Sequence, residues 1–332
     1  MTLSIITSCI PASWFGCPRW VVNILVDWYS KLAVAVRWNG SMSQSFAVRS
    51  GVRQGSSLSP SLFNIFVNKF IVESRAAGLG ICINKSWLGC IMYADDIILL
   101  SASIVGLQAL LDKCGVVSSQ LGLSFNCSKS WCLAIGPRCK ASLPDMFLCH
   151  KKVVWAEQVK YLGVTFCAGN KLSCDADSIM RKFYAACNNI FSNSLGLSEL
   201  MQLHLQQTYS LPVLRYGTVA LRFSQSQLCK LNACWNNVYR KVFGFHLWES
   251  VREFVVGLGS LDFKSMRVIA IFKLLKDMIT IDNSTLNMLS LIFSYGSEFN
   301  FMAKGFGLSV KDNMSYIRSR VHNAYASGGA LV

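Results

Sequence analysis

Between Cys90 and Leu100 two short apolar runs, Cys90-Ile-Met-Tyr93 and Ile97-Ile-Leu-Leu100, are separated only by Ala94-Asp95-Asp96. So little chain between two β-prone runs predicts a tight antiparallel hairpin tipped with carboxylates. Asp95-Asp96 is the one adjacent acidic pair in the chain. A carboxylate flanked by apolar runs is costly to desolvate unless something meets its charge. Hard divalent cations take oxygen ligands, and Mg²⁺ commonly uses one or two carboxylates plus substrate phosphates, so the pair suits phosphoryl transfer. A solvent-exposed Asp-Asp turn would carry the same residues, and only the surrounding motifs decide between the two readings.

Those surroundings read as α+β. Apolar residues from Val21 to Lys31 suit a short helix, followed by alternation over Lys31–Trp38, the hairpin signal Asn39-Gly40 and a partner strand at Ser45–Arg49. Ser59-Pro60 reads as N-cap and first helical residue, with Leu62, Phe63, Phe66, Val67 and Phe70 along one face. That places residues 51–58 in a loop entering a helix N-terminus. A helix is expected over 104–121 and strands over Trp131–Ile135 and Val159–Phe166. From about Asp177 the pattern is helical to the end, with a boundary near residues 168–175.

Composition bounds the partners. Across 332 residues the formal charge is +15, hydrophobic residues make up 52% and charged residues 15%, which supports a sizeable core and excludes a disordered polyelectrolyte. Residues 1–72 hold one acid, Asp27, and residues 200–248 hold none, a balance suited to phosphate-rich polymers or anionic surfaces. The longest uncharged apolar stretch, Ile97–Leu111, is shorter than the ~18 to 20 residues that cross a bilayer, and the first residues lack a basic leader. An intracellular protein, in cytoplasm or nucleus and without a membrane span, is expected. The 14 cysteines are scattered without metal-ligand spacing and are expected to be reduced thiols, mostly buried.

Tyr93-Ala94-Asp95-Asp96, preceded by Gly51-Val-Arg-Gln-Gly-Ser-Ser-Leu-Ser-Pro60 and Leu62-Phe63-Asn64, resembles the catalytic core of a reverse transcriptase. Gly122-Leu123-Ser-Phe-Asn126 with Lys129, and Lys160-Tyr161-Leu162-Gly163-Val164, fall in the order of that family's next two motifs. The style is similar to non-long-terminal-repeat, LINE-type retrotransposon enzymes, in particular a jockey-like group, and the resemblance covers roughly residues 19–245. It implies an RNA-directed DNA polymerase that uses Mg²⁺, an RNA template, a DNA primer or target and deoxynucleoside triphosphates. Asp95 and Asp96 would be the catalytic metal ligands, and Lys129 would steady or protonate the departing pyrophosphate. Arg53, Gln54, Gly55 and Tyr93 would shape the nucleotide site, and Tyr161, Leu162 and Gly163 would form the primer grip.

The expected architecture is a partial, palm-like antiparallel sheet with packed helices over 1–170, its fingers missing, then an all-α thumb-like region over 171–250 and a C-terminal helical region over 251–332. A helix over Gln225–Phe243 would set an apolar face of Leu228, Leu231, Trp235, Val238 and Val242 against Lys230, Arg240 and Lys241. His204 and His246 have no spaced partners and receive no role. The family uses a further Asp on an earlier strand, and upstream of Gly51 the only acid is Asp27. The chain is therefore expected to be an N-terminally truncated fragment, inactive alone; a noncatalytic nucleic-acid-binding remnant or a decayed gene product is the alternative.

Overall fold

The computed structural model describes residues 18–48, 51–52 and 54–328. The elements in chain order are α1 (Arg19–Ser30), β1 (Ala33–Val34), β2 (Arg37–Trp38), β3 (Ser41–Met42), β4 (Phe46–Ala47), α2 (Ser59–Ala76), β5 (Cys82–Ile83), β6 (Ser86–Trp87), β7 (Cys90–Tyr93), β8 (Asp96–Leu99) and α3 (Ile104–Leu121). Then come β9 (Trp131–Cys132), β10 (Met146–Leu148), β11 (Lys151–Trp155), β12 (Gln158–Tyr161), β13 (Val164–Cys167) and β14 (Ser173–Cys174). The helical part comprises α4 (Ala176–Asn193), α5 (Glu199–Leu205), α6 (Leu211–Arg215), α7 (Gln225–Phe243), α8 (Arg252–Gly257), α9 (Phe263–Thr280), α10 (Ser284–Ser294), α11 (Ser297–Phe306) and α12 (Met314–Ala326). Mixed strand and helix thus gives way to helix, as the change of periodicity predicts.

The chain parts into two compact units. The first holds the described residues up to Ser130 together with Pro144–Val154; the second holds Trp131–Leu143 and the described residues from Trp155 onward.

In the first unit α2 and α3 pack on each other, and both contact the β7–β8 hairpin. The face predicted for α2 is the one that is buried: Leu62, Phe66, Val67 and Phe70 are all nearly inaccessible, as are Leu110, Leu111, Cys114 and Val117 of α3. Phe70 meets Phe125 edge to face at 5.8 Å. Helix α3 runs over the predicted residues because both ends are signalled: Ser103 Oγ accepts the Gly106 N–H, and Gly122 closes the helix at φ +64. Lys113 and Glu73 join α3 to α2 at 2.6 Å, and this hydrogen bond and charge hold the Glu73 carboxyl below its ordinary range.

Asn39 and Gly40 both have positive φ, +47 and +82, and turn β2 into β3 as predicted. The strand expected over Lys31–Trp38 is broken, however, into β1, paired with β4, and β2, paired with β3. Between the two pairs the Ser43 hydroxyl accepts the Val36 N–H in place of a second ladder carbonyl. Helix α2 is capped at Leu58, without a side-chain bond, so Ser59 is its first helical residue and not its cap. A β10–β11 hairpin, turning through Cys149 and His150 at φ +50 and +63, has no counterpart in the sequence pattern.

In the second unit β13, β14, α4, α6, α7 and α8 enclose a core centred on Phe183, Leu214, Leu231, Trp235, Tyr239 and Val255. A second core joins α9, α11 and α12 through Ile271, Phe272, Phe299 and Ile317. Among the described residues no helix is long and apolar enough to cross a membrane, and the described cysteines are free thiols, only part of them buried.

The base of the β7–β8 hairpin depends on two glycines. A Cβ on Gly80, whose φ is +100, would lie 2.3 Å from Gly89 Cα, and one on Gly89 would lie 2.6 Å from the Trp87 ring. Gly80→Ala should therefore lower the urea midpoint of the first unit by the equivalent of about 2 to 4 kcal/mol, combining overpacking and backbone strain. Gly78→Ala, at φ +66 with open space, should cost only about 1 kcal/mol. Equal losses for the two variants would show that the Gly80–Gly89 contact is not what fixes the hairpin.

Candidate nucleotidyl-transfer site

The hairpin pairs Tyr93 with Asp96, Met92 with Ile97, Ile91 with Ile98 and Cys90 with Leu99. Alternation then sends Cys90, Met92, Ile97 and Leu99 to one face and Ile91, Tyr93, Asp96 and Ile98 to the other. Cys90 is buried, and β7 contacts α2. At the turn Ala94 has φ +52, a left-handed conformation that costs a Cβ-bearing residue about 1 kcal/mol. Tyr93, Ala94, Asp95 and Asp96 are all exposed. Among the described residues neither carboxylate is engaged by a cation or a hydrogen-bond donor, and no third carboxylate, histidine or cysteine joins them as a metal-holding group. The hairpin expected between the two apolar runs thus carries Tyr93, Asp95 and Asp96 at its tip.

Gln54 and Gly55 form a turn in which Gly55 has φ +79, and both are exposed. They line a hollow of about 320 Å³ together with Trp28, Tyr29, Leu32, Ser56 and Ser57. The aromatic wall from α1 is a feature that the motifs do not announce; in the sequence pattern Trp28 and Tyr29 are only the apolar side of a helix. The expected supply of free amides at the start of α2 is reduced, since Ser59 N–H donates to Ser56 O at 3.3 Å and Pro60 has no N–H. Arg53 lies outside the described residues, as does the stretch read for a leader.

Lys129 ends a short 3₁₀ turn, Cys127–Lys129, and is exposed. Asn126 is its structural pivot: Oδ1 accepts the Ser128 N–H at 3.2 Å and the Ser128 hydroxyl at 2.6 Å. The predicted turn asparagine is therefore a cap for the turn that carries Lys129.

Tyr161, Leu162 and Gly163 lie in the second unit at the β12–β13 turn, where Leu162 and Gly163 take φ +45 and +80. The one strand read over Val159–Phe166 is thus two strands and a turn. Both turn carbonyls are occupied: Tyr216 Oη donates to Leu162 O at 2.7 Å and Lys182 Nζ to Gly163 O at 2.7 Å. Tyr216 and Lys182 act as positioning residues that sequence inspection misses, because their partners are backbone atoms far away in the chain. Asp27 pairs with Lys31 four residues on, at 2.7 Å, both side chains being exposed, and it does not join Asp95 and Asp96 in a metal-holding group.

Residues 8–166 match the reverse transcriptase (RNA-dependent DNA polymerase) family. This match over residues 8–166 and the similarity to R2 Pol polyproteins are consistent with a LINE-type, non-long-terminal-repeat reverse transcriptase. The chain is 26% identical over 171 residues to the Pol polyprotein of the type-2 retrotransposable element R2DM of Drosophila melanogaster, covering 48% of this chain and 16% of that protein. It is also 26% identical over 234 residues to the Pol polyprotein of the type-1 element R2 of Bradysia coprophila, covering 65% of this chain and 25% of the relative. A 149 kDa protein of transposon TX1 from Xenopus laevis is 29% identical over 146 residues, covering 43% of this chain and 11% of its own length. The chain thus spans a quarter or less of these relatives. Two of the three are R2 elements, where the style of the motifs suggests a jockey-like one.

The thiols report on the packing beneath the site. Burial raises Cys90 to about 11 and Cys114 to about 12, with the nearby Cys90 and Cys149 thiols adding to the Cys114 shift. Since the thiolate is the reactive form, both should stay unalkylated by iodoacetamide at pH 8 in the native chain, while exposed Cys82, Cys149 and Cys229 react. Native-state labelling of Cys90, read by peptide mass spectrometry, would show that β7 does not lie against α2.

Proposed function

We propose that this chain contributes the palm and thumb of an RNA-directed DNA polymerase that extends a DNA primer or target on an RNA template. The observation that supports it best is the exposed carboxylate hairpin, Tyr93-Ala94-Asp95-Asp96, within a segment matching the reverse transcriptase family. Residues 1–170 are read as palm, 171–250 as thumb-like and 251–332 as a C-terminal helical region. Asp95 and Asp96 would hold Mg²⁺, and two exposed carboxylates without an ion-pair partner among the described residues fit a hard cation that takes oxygen ligands. When bound, the metal would supply charge stabilisation at the phosphoryl group. Gln54 and Gly55 shape the nucleotide hollow, with Trp28 and Tyr29 as its apolar wall. Lys129, on its capped turn, holds a proton and a positive charge for the pyrophosphate. The β12–β13 turn, fixed by Tyr216 and Lys182, presents backbone to the primer end.

A full metal centre needs more oxygen ligands than this pair provides, and among the described residues no third metal-holding side chain joins it. The chain alone is accordingly expected to show no Mg²⁺-dependent extension of an oligo(dT) primer on poly(rA). Robust extension that Asp95→Asn abolishes would overturn that expectation. Metal binding has its own readout: with Fe²⁺, ascorbate and peroxide, backbone cleavage should centre on residues 93–97, fall on adding Mg²⁺ and vanish in Asp95→Asn. Cleavage unchanged by that substitution would remove the hairpin as the metal site.

A second reading, a noncatalytic nucleic-acid-binding protein, is favoured by the acid-free stretch 200–248. It predicts binding whose log–log salt slope is steep and indifferent to Mg²⁺ and to Asp95→Asn. Binding that strengthens with Mg²⁺ in the parent and not in Asp95→Asn would favour the polymerase reading.

A further inference from the structure

The acid-free stretch ends in a turn that polymerase chemistry does not use. Helix α7 stops at Gly244, φ +72, and the chain then folds back on Glu249. The Glu249 N–H donates to His246 O at 3.1 Å, and the Glu249 carboxylate accepts the His246 N–H. Arg240 grips the same turn: Nε and Nη2 donate to Glu249 O at 3.0 and 2.9 Å, while Nη1 donates to Asn237 Oδ1 at 2.9 Å. Arg240 is therefore a structural clamp, not one of the free cations expected along α7.

Held this way, the His246 and Trp248 rings are parallel, with centroids 4.5 Å apart and planes 4° from each other. Yet Trp248 is 81% exposed. A polar clamp that keeps an indole in water while stacking one of its faces leaves the other face open to a flat partner. The neighbouring Leu247 belongs to a hollow of about 340 Å³ between α4 and α7, whose wall includes Lys241, Asn188 and Phe191. Lys241 Nζ lies 4.2 Å over the Phe191 ring and 3.5 Å from Asn188 Oδ1, and the residue is exposed. A flat aromatic face and an exposed ammonium at the C-terminal end of α7, where Glu249, the one carboxylate of the turn, is taken up by the His246 N–H, match a base and its phosphate better than an acidic or apolar peptide.

We propose that the Phe245–Glu249 turn is a stacking site for an unpaired base of single-stranded nucleic acid, with Trp248 contacting the base and Lys241 the adjoining phosphate. The proposal rests on nucleic acid being the partner, as in the polymerase reading, but requires neither metal nor the carboxylate hairpin. Arg240 positions the platform without touching the ligand.

The test is equilibrium binding of the full chain, without Mg²⁺ or nucleotides, to single strands of about 16 nucleotides carrying 2-aminopurine. Trp248→Ala should weaken binding about tenfold at every salt concentration, leave the log–log salt slope unchanged and reduce the 2-aminopurine quench; Trp248→Phe should restore most of it. Lys241→Gln should instead reduce the slope by about 0.7. The melting midpoint of Trp248→Ala should match the parent, since the ring is exposed. The site is overturned if Trp248→Ala binds like the parent, if it loses as much on blunt duplex as on single strand, or if the parent binds no single strand. Asp95→Asn should bind like the parent here, so loss of the platform leaves the hairpin chemistry standing, and loss of hairpin cleavage leaves the platform standing.

Discussion

The β7–β8 hairpin keeps its place because one of its faces is pressed by α2 and α3 and its base is closed by the Gly80–Gly89 contact. Strand alternation gives that packing its consequence. With the observed register, Cys90, Met92, Ile97 and Leu99 share the packed face, and Asp96 shares the open one with Tyr93. A slip of one residue would exchange the faces and drive a carboxylate into the packed side, at a desolvation cost that nothing there repays. The same register is tied at its foot, where Leu100 N–H donates to Gly89 O at 2.9 Å. Exposure of the two carboxylates is thus a result of how the apolar side chains divide.

In the second unit the analogous constraint is a buried cation. Arg267, 4% exposed, donates to Thr218 O and Leu221 O at 2.9 Å each and to Glu298 Oε1 at 3.0 Å. A buried guanidinium bonded through Nε and Nη2 fixes the segment it grips, and removing either side would strand a charge. The chain leading into that segment carries Tyr216 and Gly217, and Tyr216 in turn holds the Leu162 carbonyl. A Cβ on Gly217 would come within 3.0 Å of Val164 Cγ2, so the close approach of this segment to β13 needs the glycine. Positioning of the turn assigned to the primer therefore runs from Arg267 through the 216–221 segment to Leu162.

How much of this can be read beforehand depends on whether the signal is local. Helices α3 and α7 are legible to the residue because each starts at a capping serine and ends at a left-handed glycine; α7 adds a capping box between Ser224 and Gln227. The Asn39-Gly40 turn and the carboxylate hairpin are legible for the same reason. The β10–β11 hairpin is not, since no Gly or Asn marks its turn and Cys149 is a residue type that seldom adopts the positive φ it has here. The β12–β13 turn leaves only a phase shift in the alternation, from Val159 and Tyr161 to Val164 and Phe166 across Leu162-Gly163. Arg240 reads as a free cation because its main partner is a backbone carbonyl nine residues away, invisible to side-chain periodicity. Tyr216, Lys182 and the α1 wall of the hollow at Gln54 and Gly55 escape for the same reason: only tertiary structure pairs them with their targets.

The charge distribution links the two halves of the argument. Up to Val72 the chain has a single acid, Asp27, already neutralised by Lys31, so the Asp95-Asp96 tip is a concentrated negative spot in a basic chain. Two adjacent carboxylates repel, and in the exposed turn water screens that repulsion. The pair is therefore stable without a bound ion, and its affinity for a divalent cation should be modest until further oxygens are supplied. Substrate phosphates are the natural source, since Mg²⁺ characteristically joins one or two carboxylates to phosphate oxygens. Basic stretches such as 200–248 would attract a phosphate-rich polymer and the acidic tip a cation, and neither attraction would require the other to be in place first.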